Sequence, residues 1–399
     1  MRTTNRPPPN APLEMNALQT SATRHAPESA PDGRAFEAPP QPLAPARWDW
    51  GNVRRVLVVR LRSIGDTVLS TPSLYALRRF LPDAQIDLLL EDWVAPLLDG
   101  NRDASRIITV RRNSTTSRLS LVGRLRAARY DVAFNLHGGS TAALLTRASG
   151  ARRRVGYASY RFSQLHNYAA PPATDLWRQA KTHSVEQQLG LLGWAGVPVT
   201  DRPATRLSIN VEACERVARR LDGAGIGASQ PYALFHPAAA FDSKRWDARN
   251  FARVADDLDA RGLAVVAVAA PGETDVVRAF AGSAQSARVV SFNDLSLPEV
   301  TALAARARLF VGNDSGIAHI ASAVRTPSVV VFGSSNVAHW RPWTDAPAEV
   351  VRKEMPCAPC AGYTCGEFAE AQCIRRVTFE RVNAAVGRVL ARAGESSAL

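Results

Sequence analysis

Residues Leu309 to Asn336 read LFVGNDSGIAHIASAVRTPSVVVFGSSN, and this stretch decides the fold. Leu309 to Val311 is a short apolar run of the kind buried on both faces of a parallel sheet. Gly312-Asn313-Asp314-Ser315-Gly316 is a tight polar turn, and the small-residue helix after it carries His319. A second buried strand, Ser328 to Phe332, leads into another Gly/Ser turn. A strand, turn and helix in this order present unpaired backbone N–H groups at the positive end of a helix dipole, which suits a phosphate or another anion. An ordinary β-α-β unit capped by Asp or Ser has the same local pattern, so the stretch takes its meaning from the rest of the chain.

Working outward, the same alternation recurs. Arg54 to Leu61 (RRVLVVRL) is another continuous apolar run, ending in Arg62-Ser63-Ile64-Gly65-Asp66, with a helix expected from Thr67 to Phe80. Strands are expected at Gln85 to Leu90, Arg106 to Val110 and Asp131 to Leu136, with helices near Trp93 to Leu98 and Ser117 to Arg129. After a short strand at Val155 to Tyr157 the pattern loosens, and the linker-like stretch Gly196 to Pro203 marks a boundary between halves. A second series runs through strands at Tyr232 to Phe235, Leu263 to Ala269 and Arg288 to Ser291 before reaching Leu309. This alternation predicts an α/β chain with two doubly wound parallel sheets. Such sheets bind ligands at the carboxyl ends of their strands. Asp66, His137, His236, Lys244, Glu273 and Asp314 all fall at such ends, so one shared cleft is expected.

Composition sets the outer limits. The 399 residues are enough for two cores. The net charge of +13, mostly from arginine, points to an anionic partner: nucleic acid, an acidic membrane surface or a phosphorylated small molecule. No nucleic-acid-binding motif accompanies the charge. The first 45 residues hold ten prolines and no apolar periodicity, which predicts a disordered extension. The expected division is residues 1–50 extension, 51–200 first domain and 201–399 second domain. With neither a signal-type apolar run nor a membrane span, the chain is expected to be cytoplasmic.

Three motifs resemble glycosyltransferase family 9, the ADP-heptose:lipopolysaccharide heptosyltransferases: VVRLRSIGDTVLSTP ending the first strand, HPAAAFDSKRW with Lys244 and Trp246, and GNDSGIAHIASA from Gly312 to Ala323. The resemblance spans about Arg54 to Leu390. It implies the GT-B architecture, two Rossmann-like domains facing a cleft. It also implies inverting transfer of a heptose from ADP-heptose to the lipopolysaccharide inner core, with no cofactor required for catalysis.

By that resemblance Asp66, with Gly65 beside it, is the base that takes the acceptor hydroxyl proton as the nucleotide diphosphate leaves from the opposite face. An N-cap role for Asp66 is compatible with this. Lys244 and the backbone around Ser315 and Gly316 would meet the charge on the leaving diphosphate, with His319 one turn into the helix. Asp314 would accept hydrogen bonds from sugar hydroxyls, and Glu273 would receive the ribose hydroxyls. Ala238 and Ala239 would supply backbone phosphate contacts. His183 reads as structural. An acidic glycolipid acceptor would account for Arg112, Arg118, Arg124 and Arg152 to Arg154 facing lipid phosphates and the anionic inner leaflet, making the protein peripheral at the inner membrane.

Four of the five cysteines, Cys357, Cys360, Cys365 and Cys373, fall within seventeen residues as C-x2-C-x4-C-x7-C. Four thiolates so spaced suit a structural zinc or iron site; free or redox-active thiols, or disulfides, are the other readings. Related bacterial protein heptosyltransferases that modify autotransporters hold iron with four cysteines. The alternatives to lipopolysaccharide heptosyl transfer are protein O-heptosyl transfer, a GT-B-fold nucleotide-sugar epimerase and a non-catalytic nucleotide-sugar-binding protein. A dehydrogenase is disfavoured because no strand is followed by G-x-G-x-x-G.

Overall fold

Two six-stranded sheets, each parallel throughout, form the frame of the protein. The computed structural model describes residues 38–112, 114–360 and 364–396, without the side chains of residues 115, 118, 119 and 396. Most of the expected extension, residues 1–37, therefore lies outside the described residues, and so does the side chain of Arg118. Residues 40–399 form one compact unit, which contains both sheets.

The first sheet contains β1 (Arg55–Val59), β2 (Gln85–Glu91), β3 (Arg106–Val110), β4 (Val132–Asn135), β5 (Arg153–Tyr157) and β6 (Tyr168–Ala170). Their order is β3-β2-β1-β4-β5-β6. The second contains β7 (Tyr232–His236), β8 (Ala264–Val268), β9 (Val289–Phe292), β10 (Leu309–Asn313), β11 (Ser328–Phe332) and β12 (Ala348–Arg352). Its order, β12-β11-β10-β7-β8-β9, repeats the same topology. Strand order reverses between β1 and β4 in one sheet and between β7 and β10 in the other. Those two switch points are where a doubly wound sheet opens a crevice.

The apolar runs form strands because both faces of each sheet are covered. In β1, Val56 and Val58 pack into one core while Leu57 and Val59 pack into another. In β7, Ala233 and Phe235 face one layer while Tyr232 and Leu234 face the opposite one. A period of two with no polar side yields a continuous apolar run. The edge strands β6 and β12 lack that run and have no counterpart among the expected strands; β6 is three residues long and β12 is mostly half-buried.

Two differences from expectation bear on the site. The helix after β1 begins at Ile64 and ends at Val68 (α1), and a second (α2, Thr71–Phe80) follows it. Asp66 therefore lies inside the first turn of α1 and does not precede a helix at Thr67. Residues 40–50, expected within the extension, pack instead onto α3 (Ser184–Trp194). Leu43 and Ala44 donate backbone bonds to Gly193 O, the Trp50 indole donates to Ala195 O at 3.0 Å, and Trp50 is buried in the first core. Three apolar side chains, Leu43, Trp48 and Trp50, supply the buried surface that the prolines around them cannot.

The two halves are locked by a seam. The His183 imidazole caps α3 by accepting from Val185 N–H at 3.1 Å, while its Nε2 donates to Arg341 O at 2.9 Å. It also stacks on Trp343, with ring centroids 4.5 Å apart. Trp343 in turn donates to Pro203 O and accepts from Thr205 through its carbonyl. His183 is thus structural, as expected, and burial pushes its pKa down to about 3.

Candidate active site

The carboxyl ends of β1, β7, β8 and β10 open into one cleft of about 870 Å³. Its walls include Gly65, Asp66, Ala239, Lys244, Glu273, Asp314, Ser315, Gly316 and His319. The turns after β1 and β10, about 250 residues apart in sequence, meet across it. The contact is close because both turns carry glycine. A Cβ on Gly65 would lie 2.7 Å from His319 Cδ2, and one on Gly316 would lie 2.8 Å from Ile64 Cβ. We label the helix after β10, Gly316–Ala323, α4.

Asp66 is held by both of its oxygens. One accepts from Arg60 Nη2, and the other accepts from the Ser63 backbone N–H at 3.0 Å. Arg60 is itself buried and also donates to the Leu136 carbonyl. The carboxylate is therefore fixed in orientation, with part of its side chain (21% exposed) open to the cleft. His137, just beyond β4, is half-buried beside this pair. Burial, reinforced by Arg60, pushes its pKa to about 4 and keeps it neutral.

On the opposite wall Lys244 Nζ donates to Asp314 Oδ2 at 2.9 Å, and Ser335 Oγ donates to the same oxygen. Asp314 is buried and Lys244 retains a quarter of its side-chain surface. Two observations explain why the Lys244 loop holds its place. Buried Asn313, the last residue of β10, accepts from Trp246 N–H at 3.0 Å and donates to Pro237 O at 2.7 Å. Gly333, after β11, lets the Ser243 carbonyl pass where a Cβ would lie 2.0 Å from it. Ser334 N–H then donates to that carbonyl at 3.1 Å.

His319 is buried, and burial lowers its pKa so that it stays neutral; Asp314 and Asp66 oppose the shift and Lys244 adds to it. Among the described residues its Nδ1 has no hydrogen-bond partner. Glu273 reaches the cleft, but its carboxylate accepts from Ala270 N–H at 2.9 Å and faces His236 Nε2 at 3.7 Å. Ala239 lines the cleft together with Ala240 and Phe241, while Ala238 is buried outside the lining.

Sequence reasoning missed several residues in or behind the cleft. Arg60, Asn313 and Ser335 act through hydrogen bonds between distant segments, which no spacing encodes. Trp93 and Trp340 line the cleft; Trp93 read in sequence only as the start of an expected helix, and nothing there singled out Trp340. His236, placed in sequence at a strand end, does line the cleft.

The four clustered cysteines lie away from the cleft. All are free thiols, and Cys360 N–H donates to Ser334 O at 2.9 Å. Burial raises the Cys360 and Cys373 thiols, and neighbouring cysteines add to the shift. Among the described residues, however, no group of three or more His, Cys, Asp or Glu side chains converges to hold a metal ion. The expected zinc or iron site therefore has no such group behind it among the described residues.

Comparison with known proteins agrees with this geometry. The family model for glycosyltransferase family 9 (heptosyltransferase) matches residues 118–369. The chain is similar to lipopolysaccharide heptosyltransferase 3 of Escherichia coli, with 32% identity over 71% of this chain and 85% of that protein. Among solved structures it is similar to a family 9 glycosyl transferase from Veillonella parvula, with a TM-score of 0.75 and 21% identity over 85% of this chain and 97% of that one. It is also similar to ADP-heptose lipopolysaccharide heptosyltransferase II of Escherichia coli, with a TM-score of 0.70 and 22% identity over 85% of this chain and 99% of that one. The two sheets with their facing switch points are thus the GT-B architecture, and the chain belongs to glycosyltransferase family 9, the heptosyltransferases.

Proposed function

We propose that this enzyme transfers a heptose from ADP-heptose to the inner core of lipopolysaccharide with inversion at the anomeric carbon. The observation that carries this reading is the meeting of Asp66 with the Lys244 and Asp314–His319 wall across a single cleft. In this reading residues 51–200 form the acceptor half and residues 201–399 the donor half. The acceptor hydroxyl attacks the anomeric carbon as the C–O bond to the diphosphate breaks on the opposite face. Asp66 accepts the hydroxyl proton. Lys244 and the backbone N–H groups at the start of α4 meet the charge that builds on the leaving diphosphate. Asp314, already paired with Lys244, holds that ammonium in place and offers its remaining lone pairs to sugar hydroxyls. The name of the 32%-identical relative, a lipopolysaccharide heptosyltransferase, supports the same acceptor.

The acceptor half suits an anionic glycolipid at a membrane surface. From residue 104 to residue 174 the sequence holds twelve arginines and one acidic residue, Asp131. That carboxylate is taken up by the Arg54 and Arg55 backbone N–H groups. Leu144 and Phe162 are exposed within the same segment. Guanidiniums beside apolar side chains match a leaflet of acidic lipid.

The test is Asp66→Ala assayed with ADP-heptose and purified lipopolysaccharide core. Transfer should fall by at least about 100-fold, while ADP binding measured by calorimetry stays near wild type. Unchanged turnover would sink the role of Asp66. Full activity on a polypeptide with none on lipopolysaccharide core would replace the acceptor.

A further inference from the structure

His236 joins two polar cleft residues from separate elements. It stands at the carboxyl end of β7, with 6% of its side chain exposed. Its Nδ1 lies 3.1 Å from Ser315 Oγ, and its Nε2 lies 3.7 Å from Glu273 Oε2. The second distance is too long for a hydrogen bond but short enough for a strong charge interaction. Ser315 occupies the N-cap of α4, yet its side chain makes no cap bond. A serine at that position ordinarily accepts from the helix N–H groups. Here its hydroxyl is turned to His236 instead, which leaves the first-turn N–H groups uncapped by it.

The bond between Ser315 and His236 has two senses, set by one proton. With the imidazole neutral and Nε2–H facing Glu273, Nδ1 is an acceptor and the Ser315 hydroxyl must donate to it. The hydroxyl oxygen then shows the cleft only lone pairs, which repel a phosphate oxygen. With the imidazole protonated, Nδ1–H donates to Ser315 Oγ and the hydroxyl proton is free to turn outward. A phosphate oxygen then gains a donor, and the wall behind it gains a positive charge.

We propose that His236 is a positioning residue of the donor site, which takes up a proton when the diphosphate of a sugar nucleotide binds and thereby turns the Ser315 hydroxyl toward it. Glu273 is the counter-charge: its carboxyl is held below the usual range chiefly by His236, with burial opposing. The other charged groups facing this corner are Lys244 and Arg245 from the loop after β7, Asp314 from the end of β10, and Asp66 and Arg62 from the opposite wall. Among these side-chain types, imidazole is the one that ordinarily changes charge between about pH 5 and 8. His319, the nearest second imidazole on α4, is held neutral by burial. This inference rests on the donor reading above and deepens it.

The test is calorimetric titration of the full-length protein with ADP-heptose in buffers of different ionisation enthalpy, repeated across the pH range. A sugar nucleotide is a diphosphate diester with no titrating group of its own near neutrality, so protons exchanged belong to the protein. Uptake of up to one proton per site is expected, shrinking as the pH is lowered. Affinity should fall by up to about tenfold per pH unit over the range in which binding takes up a proton. His236→Gln, which still bonds Ser315 but cannot titrate, should remove both the uptake and the pH dependence. Glu273→Gln should shift the fall in affinity to lower pH. Binding with no buffer dependence in the wild type, or uptake that survives in His236→Gln, would overturn the proposal. If ADP-heptose does not bind while another sugar nucleotide does, the donor assignment fails, and the same buffer comparison with that nucleotide reads His236.

Discussion

Asp66 illustrates how a single side chain is made ready by its neighbours. One oxygen is committed to Arg60 and the other to the Ser63 N–H, so the lone pairs that remain point in a fixed direction. Arg60→Gln should lower turnover by roughly 10- to 100-fold, because a base swung out of line loses most of its effective concentration. ADP affinity should change far less, and a steady-state kcat and KM measurement separates the two. Neutral histidines, one buried and one half-buried, make a second prediction. His183 and His137 have folded-state pKa values of about 3 and about 4, below the value of about 6.5 for an exposed imidazole. Below about pH 6.5 the unfolded chain therefore binds more protons than the folded one. Stability is full above that pH and is lost as the pH falls toward 4 and then 3, by at most about 1.4 kcal/mol per pH unit for each group. His183→Asn keeps a capping side chain without the titration, and its melting temperature should fall less between pH 7 and pH 5 than that of the wild type.

Among elements, the turns after β7, β10 and β11 behave as one assembly. Asn313 joins the first two through Trp246 N–H and Pro237 O, and the Ser334–Ser243 bonds join the first and third. Asn313→Ala would leave a buried donor and a buried acceptor unpaired, a loss of about 1–3 kcal/mol for each group left unsatisfied. Because Lys244 and Ala239 sit on the released loop, KM for the donor should rise together with the drop in thermal stability. Gly333→Ala is expected to be worse: its Cβ would meet the Ser243 backbone oxygen at 2.0 Å, which no rotamer change relieves. Soluble, fully active Gly333→Ala protein would show that these turns are not rigidly joined. Trp246 anchors the assembly from behind, buried in the second core with its indole donating to Val377 O at 2.8 Å.

At the level of the whole molecule, charge and shape divide the labour between the halves. The second half, with the Lys244 loop and α4, carries the local features that suit a diphosphate. The first half carries the arginine-rich, acid-poor segment from residue 104 to residue 174. Binding to vesicles containing acidic phospholipid should weaken steeply with salt, because exposed charges are screened beyond about 8 Å at physiological ionic strength. Sedimentation with vesicles at two salt concentrations measures it, and neutral vesicles should bind weakly at both. Among the described residues no helix is long and apolar enough to cross a membrane. The helix Phe379–Ser396 closes the chain against the second sheet through Val382, Val386 and Val389.

The two series of buried strands, and the turns at their carboxyl ends, were legible in the sequence because local patterning encodes them. A strand covered on both faces must be a continuous apolar run, and a turn that brings two helices together must carry residues such as Gly65 and Gly316. The motif residues Asp66, Lys244 and Asp314 could be placed at strand ends on the same grounds. Which of those ends face one another was decided only by the tertiary structure, since it depends on strand order and on the His183–Trp343 seam. The hydrogen bonds that orient the site also belong to that level. Arg60 reads as one more arginine until Leu136 and Asp66 are brought beside it, and His236 acquires partners only when β7, β8 and β10 lie side by side. The cysteine spacing suggested a metal centre, but spacing along the chain does not determine whether four thiols converge, and among the described residues no group that could hold a metal forms.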